Sequence, residues 1–222
     1  MTNVRGFLAR VNRKDVISQK ELDQMLRKAD QLKPEYFKVR AKALISLFKS
    51  GKRRGEVASL AMDDIEAKEN FLYVTYTVEK KRKKDIMSLR RRKRFHIESR
   101  YAQYIMAYWN WMKQHYPESK WLFPSGHNVF GVTYVFNLSR HLHGRQILRI
   151  IQDLNPKAWC HLFRETRGAE IVKKDEDAKG EASIETVYRV RRGLDLESEA
   201  SAWRYIRRYA TETIEDEDEI IT

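Results

Sequence analysis

The sequence predicts a mainly α-helical protein with a small antiparallel β-sheet, an α+β fold. Most segments repeat apolar residues at the helical spacing of three and four. One segment, Phe71–Val78, is instead rich in the aromatic and β-branched residues that are typical of a strand. Of the 222 residues, 42% are hydrophobic, which is enough for a core. We expect one domain over residues 16–210, a polar leader over 1–15 and an acidic tail over 211–222.

Helix signals are clearest near the start of the chain. Ser18 and Glu21 have the spacing of a capping box, and apolar residues then recur at the helical period. A second helix is expected after Pro34, which suits a first turn, and it should end at Gly51. Further helices are expected through Val57, through Tyr108, and over residues 128–142, 145–153, 161–173, 183–191 and 198–210.

The predicted strand Phe71–Val78 needs a partner, and residues 94–97 are the expected antiparallel return. Residues 121–126 (WLFPSG) are typical of a loop. Residues 175–181 (DEDAKGE) are expected to form a polar connector between two helices. These interpretations leave the sheet small and the helices dominant.

Charge is unevenly distributed along the chain. Lys and Arg total 44 against 31 Asp and Glu, a formal net charge of +13. Ten basic residues and one acid fall between Lys80 and Arg94, whereas residues 215–219 are all acidic. A basic surplus favours a polyanionic partner, with nucleic acid first, an anionic membrane surface second, and a basic protein that binds neither as the third possibility. The basic cluster beside a strand favours contacts with nucleic-acid phosphates.

Several classes of function are disfavoured by what the sequence lacks. A single cysteine, Cys160, excludes an internal disulfide and suits a reducing interior. No apolar run reaches the ~18 residues of a membrane span and no signal-peptide pattern is present. An intracellular protein is therefore expected, either cytoplasmic and nucleoid-associated or, for a virus- or plasmid-encoded protein, inside the host cell. The usual nucleotide and metal motifs are missing, and the adjacent carboxylates Asp63 and Asp64 diverge, so no cofactor and no metal are expected.

Three segments together carry the residue types that chemistry on a phosphodiester needs. Residues 50–60 read SGKRRGEVASL, residues 161–172 read HLFRETRGAEIV, and residues 203–209 read WRYIRRY. Each motif alone occurs often by chance. In this order and at these distances, the three segments resemble the tyrosine recombinase (phage-type integrase) family.

The resemblance extends from about residue 16 to residue 210. The family's first box, T-G-x-R-x-x-E-x-x-x-L, is matched by Gly51, Arg53, Glu56 and Leu60. Its H-x-x-R box is matched by His161 and Arg164, and its tyrosine in a Y-I-x context is matched by Tyr205. The family also carries a lysine on a β-hairpin between the first two boxes, and Lys80 lies in that interval with Lys81 and Lys83 as neighbours.

What the resemblance implies is the tyrosine recombinase catalytic-domain fold and a catalytic set of Arg53, Lys80, His161, Arg164 and Tyr205. Arginine suits such a site because its planar fork binds phosphate oxygens bidentately and stays charged. In this scheme the two arginines stabilise the transition state and the lysine protonates the departing 5′ oxygen. His161 orients the phosphate or shares the proton transfer. Tyr205 forms a covalent 3′-phosphotyrosyl bond without metal or ATP.

Some choices within this set stay open at the level of sequence. Register with Glu56 favours Arg53 over Arg54, although Arg53 taken alone is better explained as a surface helix residue. Tyr209 lies one helical turn after Tyr205 and is the rival nucleophile. Arg167 is either a DNA-backbone contact or an ion-pair partner.

The pattern departs from the family in two places. The family usually has a His, or a Trp or Lys, two to three turns before the tyrosine. Residues 191–203 (RRGLDLESEASAW) contain no His. Leu196 or Asp195 falls near that position, or Arg192 or Gly193 if the segment is a few residues longer than usual. The contact is then lost, or Arg192 replaces the missing donor. Family members also usually carry a helical core-binding domain before the catalytic domain. Only about 15 residues precede the pattern here, which predicts a stand-alone domain, a fragment or a variant clamp.

The expected partner is double-stranded DNA, bound by a homo-tetramer that is a monomer or weak oligomer without DNA. No membrane partner is expected. Two rival functions use the same fold: a DNA-binding module without chemistry, and a nicking-closing enzyme similar to type IB topoisomerases. A basic RNA-binding protein is a third. The residues expected to contact DNA are Lys81, Arg82, Lys83, Lys84, Arg90, Arg91, Arg92 and Arg167.

Overall fold

The computed structural model describes residues 16–78, 89–129 and 133–210. The expected leader and tail, and the segment that contains Lys80, therefore lie outside the described residues. The chain divides into two compact units. The first unit is Ile17–His161, and the described part of the second is Val16 with residues 162–210.

Helices dominate both units, as the sequence predicts. The first unit also holds a 3-10 helix, Met62–Asp64. All but the first two residues of α6 belong to the second unit. The helices are α1 (Gln19–Asp30), α2 (Glu35–Lys49), α3 (Arg54–Ala58), α4 (Arg100–His115), α5 (Gly144–Leu154), α6 (Cys160–Lys179), α7 (Ile184–Gly193) and α8 (Glu199–Tyr209).

The start of α1 follows from its sequence. The Ser18 side chain accepts a hydrogen bond from the Glu21 backbone N–H at 3.2 Å, and the Glu21 carboxylate accepts one from the Ser18 backbone N–H at 2.9 Å. This is the predicted capping box, which satisfies two of the unpaired N–H groups at a helix start. The apolar face of α1 is then buried against α2.

A three-stranded antiparallel sheet lies in the first unit, in the order β1 (Ile65–Lys68), β2 (Phe71–Val78) and β3 (Leu89–His96). In β2, buried and half-buried residues alternate, as expected of a strand with one face on the core. The predicted return strand over 94–97 is too short, because β3 pairs with β2 along its whole length from Leu89. The arginines of β3 thus belong to the sheet itself.

The predicted helix over 128–142 is wrong. This region is a second antiparallel hairpin, β4 (Pro124–Val129) and β5 (Thr133–His141), which also takes the end of the loop predicted over 121–126. Residues 134–139 alternate between half-buried and exposed, the period of two that a strand requires. Gly126 is required here, because a Cβ would overlap the Tyr134 ring of the paired strand.

An aromatic cluster joins the second hairpin to the helices of the first unit. The Phe136 ring of β5 packs edge-on against Tyr36 of α2 at 4.6 Å between centroids. The buried guanidinium of Arg40 lies 4.7 Å from the Tyr36 ring and donates to its hydroxyl at 3.0 Å. Packing of the β5 aromatic rings against α2 explains why this segment forms a strand.

The second unit is built on a small core of its own. The long helix α6 runs to Lys179, so the predicted connector over 175–181 is mostly helical. The reason is Asp175, which is 2% exposed and accepts a hydrogen bond from Arg189 of α7 at 2.7 Å. This unit's hydrophobic core comprises Val172, Val187, Val190, Leu194, Ala202, Tyr205, Ile206 and Tyr209.

Candidate active site

Arg53 is held by a buried carboxylate. It occupies the N-cap position of α3, where the Glu56 side chain accepts hydrogen bonds from both its backbone N–H and its guanidinium, each at 2.9 Å. Glu56 is 3% exposed, whereas the Arg53 side chain is 44% exposed. One edge of the guanidinium is therefore fixed and much of the side chain still faces solvent. Arg54 points towards Gly144, since its Nε lies 2.7 Å from the position that a Cβ on Gly144 would occupy.

The loop that carries Arg53 is tied to the sheet by Lys52, a residue that the sequence analysis missed. Lys52 is 1% exposed, and its ammonium lies 4.5 Å from the ring centroid of Tyr76 in β2. Such a contact is favourable in a site with little water. The strand β2 leads directly to the segment with the predicted Lys80, Lys81, Arg82, Lys83 and Lys84, which lies outside the described residues.

The arginines of β3 differ in their partners. Arg90 forms an ion pair with Asp64, and Arg92 forms one with Glu66 of β1. Arg91 lies on the other face of the strand, opposite Tyr76, and is exposed. No carboxylate among the described residues pairs with it. Two of the three predicted DNA contacts on β3 are thus already paired with acids.

His161 and Arg164 both lie in the first turns of α6. His161 is exposed. Arg164 is 3% exposed, and its guanidinium donates a hydrogen bond to the backbone carbonyl of Leu194, in the loop between α7 and α8. A buried guanidinium that binds this carbonyl fixes the segment that leads into the tyrosine helix.

The tyrosine helix α8 turns both of its candidate tyrosines inward. Ala202, Tyr205, Ile206 and Tyr209 recur at the helical spacing and are all buried. The Tyr205 ring packs on Gly168 of α6, where a Cβ would overlap it. Sequence analysis missed Gly168, because nothing in the sequence marks which residue faces a ring from another helix.

Arg164 and Tyr205 are brought together by α6 and α8. The Arg164 and Glu165 side chains lie near enough to the Tyr205 hydroxyl for both to act on its pKa. Burial, and then the Glu165 charge, raise the pKa of Tyr205, while the Arg164 charge acts in the opposite direction. Tyr205 is therefore a neutral phenol placed between a cation and a carboxylate.

Tyr209 has a different environment. Its hydroxyl donates a hydrogen bond to the Glu165 carboxylate at 2.9 Å. Burial raises the pKa of Tyr209, and the Glu165 charge raises it further. The charges that act on Tyr209 are those of Glu165 and Arg208, whereas Arg164 acts on Tyr205. Proximity to Arg164, the arginine of the H-x-x-R motif, therefore favours Tyr205 as the nucleophile.

The remaining predicted residues lie on the surface of the second unit. Arg192, expected to replace the missing histidine, is exposed near the end of α7. Arg167 is 44% exposed and forms an ion pair with Glu170 at 3.3 Å. Arg53 and His161 belong to the first unit and Arg164 and Tyr205 to the second, so the two sets are described separately.

No group of three His, Cys, Asp or Glu side chains suited to a metal ion occurs among the described residues. Within the same residues, no helix combines the length and the apolar character needed to cross a bilayer.

The fold resembles solved recombinase structures. One is the XerH site-specific recombinase bound to a palindromic difH substrate in a post-cleavage complex, with a TM-score of 0.58 and 16% identity over 87% of this chain and 50% of that chain. Another is XerH bound to difH substrate in a pre-cleavage complex, with a TM-score of 0.58 and 17% identity over 86% and 49%. The chain spans about half the length of these recombinases, and at this identity the likeness shows a shared fold. No curated protein matches the sequence.

A family model supplies the assignment. The model of the phage integrase family matches residues 15–179, a range that contains Arg53, His161 and Arg164 and ends before α8. The matched range is well over half of the sequence. The chain therefore belongs to the phage integrase family, and its fold is that of a tyrosine recombinase catalytic domain.

Proposed function

We propose that this chain cleaves and rejoins double-stranded DNA through a covalent 3′-phosphotyrosyl intermediate formed by Tyr205. The observation that carries the proposal is the position of Tyr205 beside Arg164: the Tyr205 ring packs on Gly168, four residues after Arg164 on α6, and the Arg164 charge acts on the Tyr205 hydroxyl. A guanidinium beside a phenol is the pairing that attack on a phosphodiester needs, because the cation binds the phosphate that the phenol attacks. Membership of the phage integrase family supports the same reaction class.

The proposed chemistry uses no metal and no nucleotide. Arg53 and Arg164 bind the non-bridging oxygens of the scissile phosphate and stabilise the charge of the transition state. The Tyr205 oxygen forms a bond to phosphorus as the bond from phosphorus to the 5′ oxygen breaks. Lys80 supplies the proton that this 5′ oxygen takes up, and His161 orients the phosphate or shares the proton transfer. Attack by a 5′ hydroxyl reverses the sequence and rejoins a strand.

Burial places one requirement on this reaction. Arg164 is 3% exposed and Tyr205 is 8% exposed, so a phosphate reaches them only after DNA binding has uncovered them. The exposed side chain of Arg53 needs no such change. The same burial supports the second candidate function, a DNA-binding module of this fold without chemistry.

The proposed partner is duplex DNA, contacted by the arginines of β3, by Arg167 and by the lysine-rich segment that begins at Lys80. Exchange between two duplexes requires four strand cleavages, so a tetramer on DNA is proposed as the active assembly. The site of action is then wherever cellular or viral DNA is kept, inside the cell.

A suicide-substrate assay tests the reaction. The probe is a pool of 5′-labelled duplexes with a nick and with randomised sequence beside the nick, which allows the short 5′-hydroxyl fragment to diffuse away after cleavage. Wild-type protein should form a denaturant-resistant labelled complex. Tyr205→Phe should abolish that complex, and Tyr209→Phe should retain it.

The outcomes separate the candidate functions. Loss of the covalent complex in Tyr209→Phe but not in Tyr205→Phe would show that Tyr209 is the nucleophile. Retention of DNA without any covalent complex would favour the non-catalytic module. Relaxation of supercoiled plasmid without joining of two duplexes would favour a nicking-closing enzyme. Stronger competition by RNA than by duplex DNA would favour the RNA-binding alternative.

A further inference from the structure

Glu165 connects the two tyrosines of α8. It follows Arg164 directly on α6, and its side chain is 15% exposed. One carboxylate oxygen accepts the hydrogen bond from Tyr209 at 2.9 Å and lies 3.5 Å from a guanidinium nitrogen of Arg208. The Tyr205 ring lies beside the Tyr209 ring, with 6.3 Å between centroids, and the Glu165 charge acts on the Tyr205 hydroxyl. A carboxylate in this position lies near the oxygen that the proposed reaction uses.

We propose that Glu165 accepts the proton of the Tyr205 hydroxyl as that oxygen attacks the DNA phosphate, and that Tyr209 and Arg208 hold the carboxylate in place. This inference rests on the proposed function and adds the proton acceptor that the reaction needs. The contacts with Tyr209 and Arg208 link the carboxylate on α6 to the helix that carries Tyr205. Glu165 is then a catalytic residue, and Tyr209 is a positioning residue.

The proton has to leave Tyr205 for a physical reason. A neutral phenol is a weak nucleophile, and burial keeps the pKa of Tyr205 above its ordinary value. A carboxylate that only lay nearby would oppose ionisation of the phenol by charge repulsion. A carboxylate that takes the proton becomes neutral in the same step, and the repulsion disappears as the bond to phosphorus forms.

The step balances in atoms and charge. The O–H bond of Tyr205 breaks and its proton goes to a carboxylate oxygen of Glu165. The electron pair left on the phenolic oxygen forms the bond to phosphorus, and the bond from phosphorus to the 5′ oxygen breaks. The 5′ oxygen leaves with a proton from a separate acid. In the rejoining step, Glu165 returns its proton to the tyrosine.

The test is the pH dependence of single-turnover cleavage on the nicked duplex pool. Glu165→Gln should form the covalent complex about 100-fold more slowly than wild type near pH 7, a typical effect for loss of a general base. The deficit should shrink steadily towards pH 9.5. At high pH the Tyr205 hydroxyl loses its proton to solvent, so the reaction no longer needs a proton acceptor in the protein. The absence of the Glu165 charge favours this ionisation. A deficit of the same size at every pH, or no deficit, would overturn the inference.

Matched variants separate proton transfer from folding. Asp177→Asn also replaces a carboxylate by an amide on α6, at an exposed position, and should leave the rate within about twofold of wild type. Glu165→Asp keeps a carboxylate, so its rate should be lower at every pH with the wild-type pH profile. Glu165→Ala should regain at least tenfold in rate when formate is added, and absence of rescue together with a pH-independent deficit would leave only a packing role.

Failure of the inference is distinguishable from failure of the proposed function. If wild-type protein forms no covalent complex, or if Tyr205→Phe still forms it, the proposed function fails first. If both behave as proposed and Glu165→Gln matches wild type across the pH range, only the role of Glu165 fails. Binding of labelled duplex, measured in parallel, should not weaken in any Glu165 variant.

Discussion

The choice between Tyr205 and Tyr209 depends on contacts that no motif contains. Both residues lie on the buried face of α8, because they are four residues apart on a helix. Tyr209 is hydrogen-bonded to Glu165, which lies 44 positions away in sequence. Tyr205 also reaches Arg164. The sequence predicted Tyr205 from its Y-I-x context, with Tyr209 as the rival, and the packing of α8 on α6 adds contacts that favour Tyr205.

Gly168 allows the Tyr205 ring to lie directly on α6. Gly168→Ala should destabilise the protein by about 1–3 kcal/mol, because the added Cβ overlaps the ring and forces it to move. The free energy of unfolding from urea titration measures this effect. The variant should also lose covalent complex on the nicked duplex pool, because the displaced hydroxyl no longer meets Arg164.

A second background provides the control for Gly168. In Tyr205→Ala the ring is absent, and the same Gly168→Ala change should stabilise the protein by up to about 1 kcal/mol, since alanine is the better helix residue. A reversal of sign between the two backgrounds assigns the cost to the ring. Equal destabilisation in both backgrounds would contradict the proposed contact.

Among the elements, the helices were predictable and the second hairpin was not. Helices α1, α5 and α8 have local signals, namely caps and apolar spacing, that do not depend on the rest of the fold. Residues 128–142 include aromatic and β-branched side chains that suit a buried helix face or a strand equally well. The strand is favoured over the helix because β5 packs against Tyr36 and Arg40 of α2. The spacing of residues in the sequence does not reveal that contact.

The strand β3 combines arginines that face acids with one that does not. Glu66 of β1 holds Arg92, whose guanidinium also lies over the Tyr73 ring at 3.9 Å. Pairs between exposed side chains contribute little to stability. Their larger effect is on DNA binding, because an arginine that is paired with a carboxylate is less available to a phosphate.

Glu66→Gln should therefore strengthen non-specific binding of duplex DNA. Release of Arg92 adds about one phosphate contact, which steepens the dependence of log affinity on log salt by about 0.9 and raises affinity up to about eightfold at 0.1 M salt. Fluorescence anisotropy with a labelled duplex at several salt concentrations measures both quantities.

Glu118→Gln is the matched control for Glu66→Gln. It changes the net charge by the same amount at an exposed position in the turn after α4, where no described cation pairs with the carboxylate. Its effect on affinity should stay below about twofold, because distant exposed charges are screened by salt. Equal effects of the two substitutions would show that net charge, rather than release of Arg92, controls binding.

For the whole molecule, the order of motifs was more informative than any single residue. The first and second boxes lie inside the segment that matches the phage integrase family, which confirms the family predicted from their sequence. Residues at unspecified positions within the motif segments, such as Lys52 and Glu165, entered the candidate site only through the structure. They do so because burial and hydrogen bonding, and not residue type alone, give them a role.

The net charge of +13 combines a strongly basic chain with an acidic end. Residues 211–222 contain six acids and no base, so removing them raises the formal net charge to +19. Because non-specific DNA affinity depends on the cations that reach phosphates, an acidic segment that competes for those cations weakens it. A tail that instead joins subunits would matter for assembly and not for the binding of one protein to DNA.

Deletion of residues 211–222 should therefore raise the affinity for a short non-specific duplex by about tenfold at 0.1 M salt. The difference should fade towards 1 M salt, where the screening length is only about 3 Å. A full-length variant with the six acids changed to Gln and Asn should reproduce the gain if charge is the cause. If the deletion leaves duplex affinity unchanged but reduces the mass of the complex on paired sites in analytical ultracentrifugation, the segment acts in assembly, and competition for DNA is excluded.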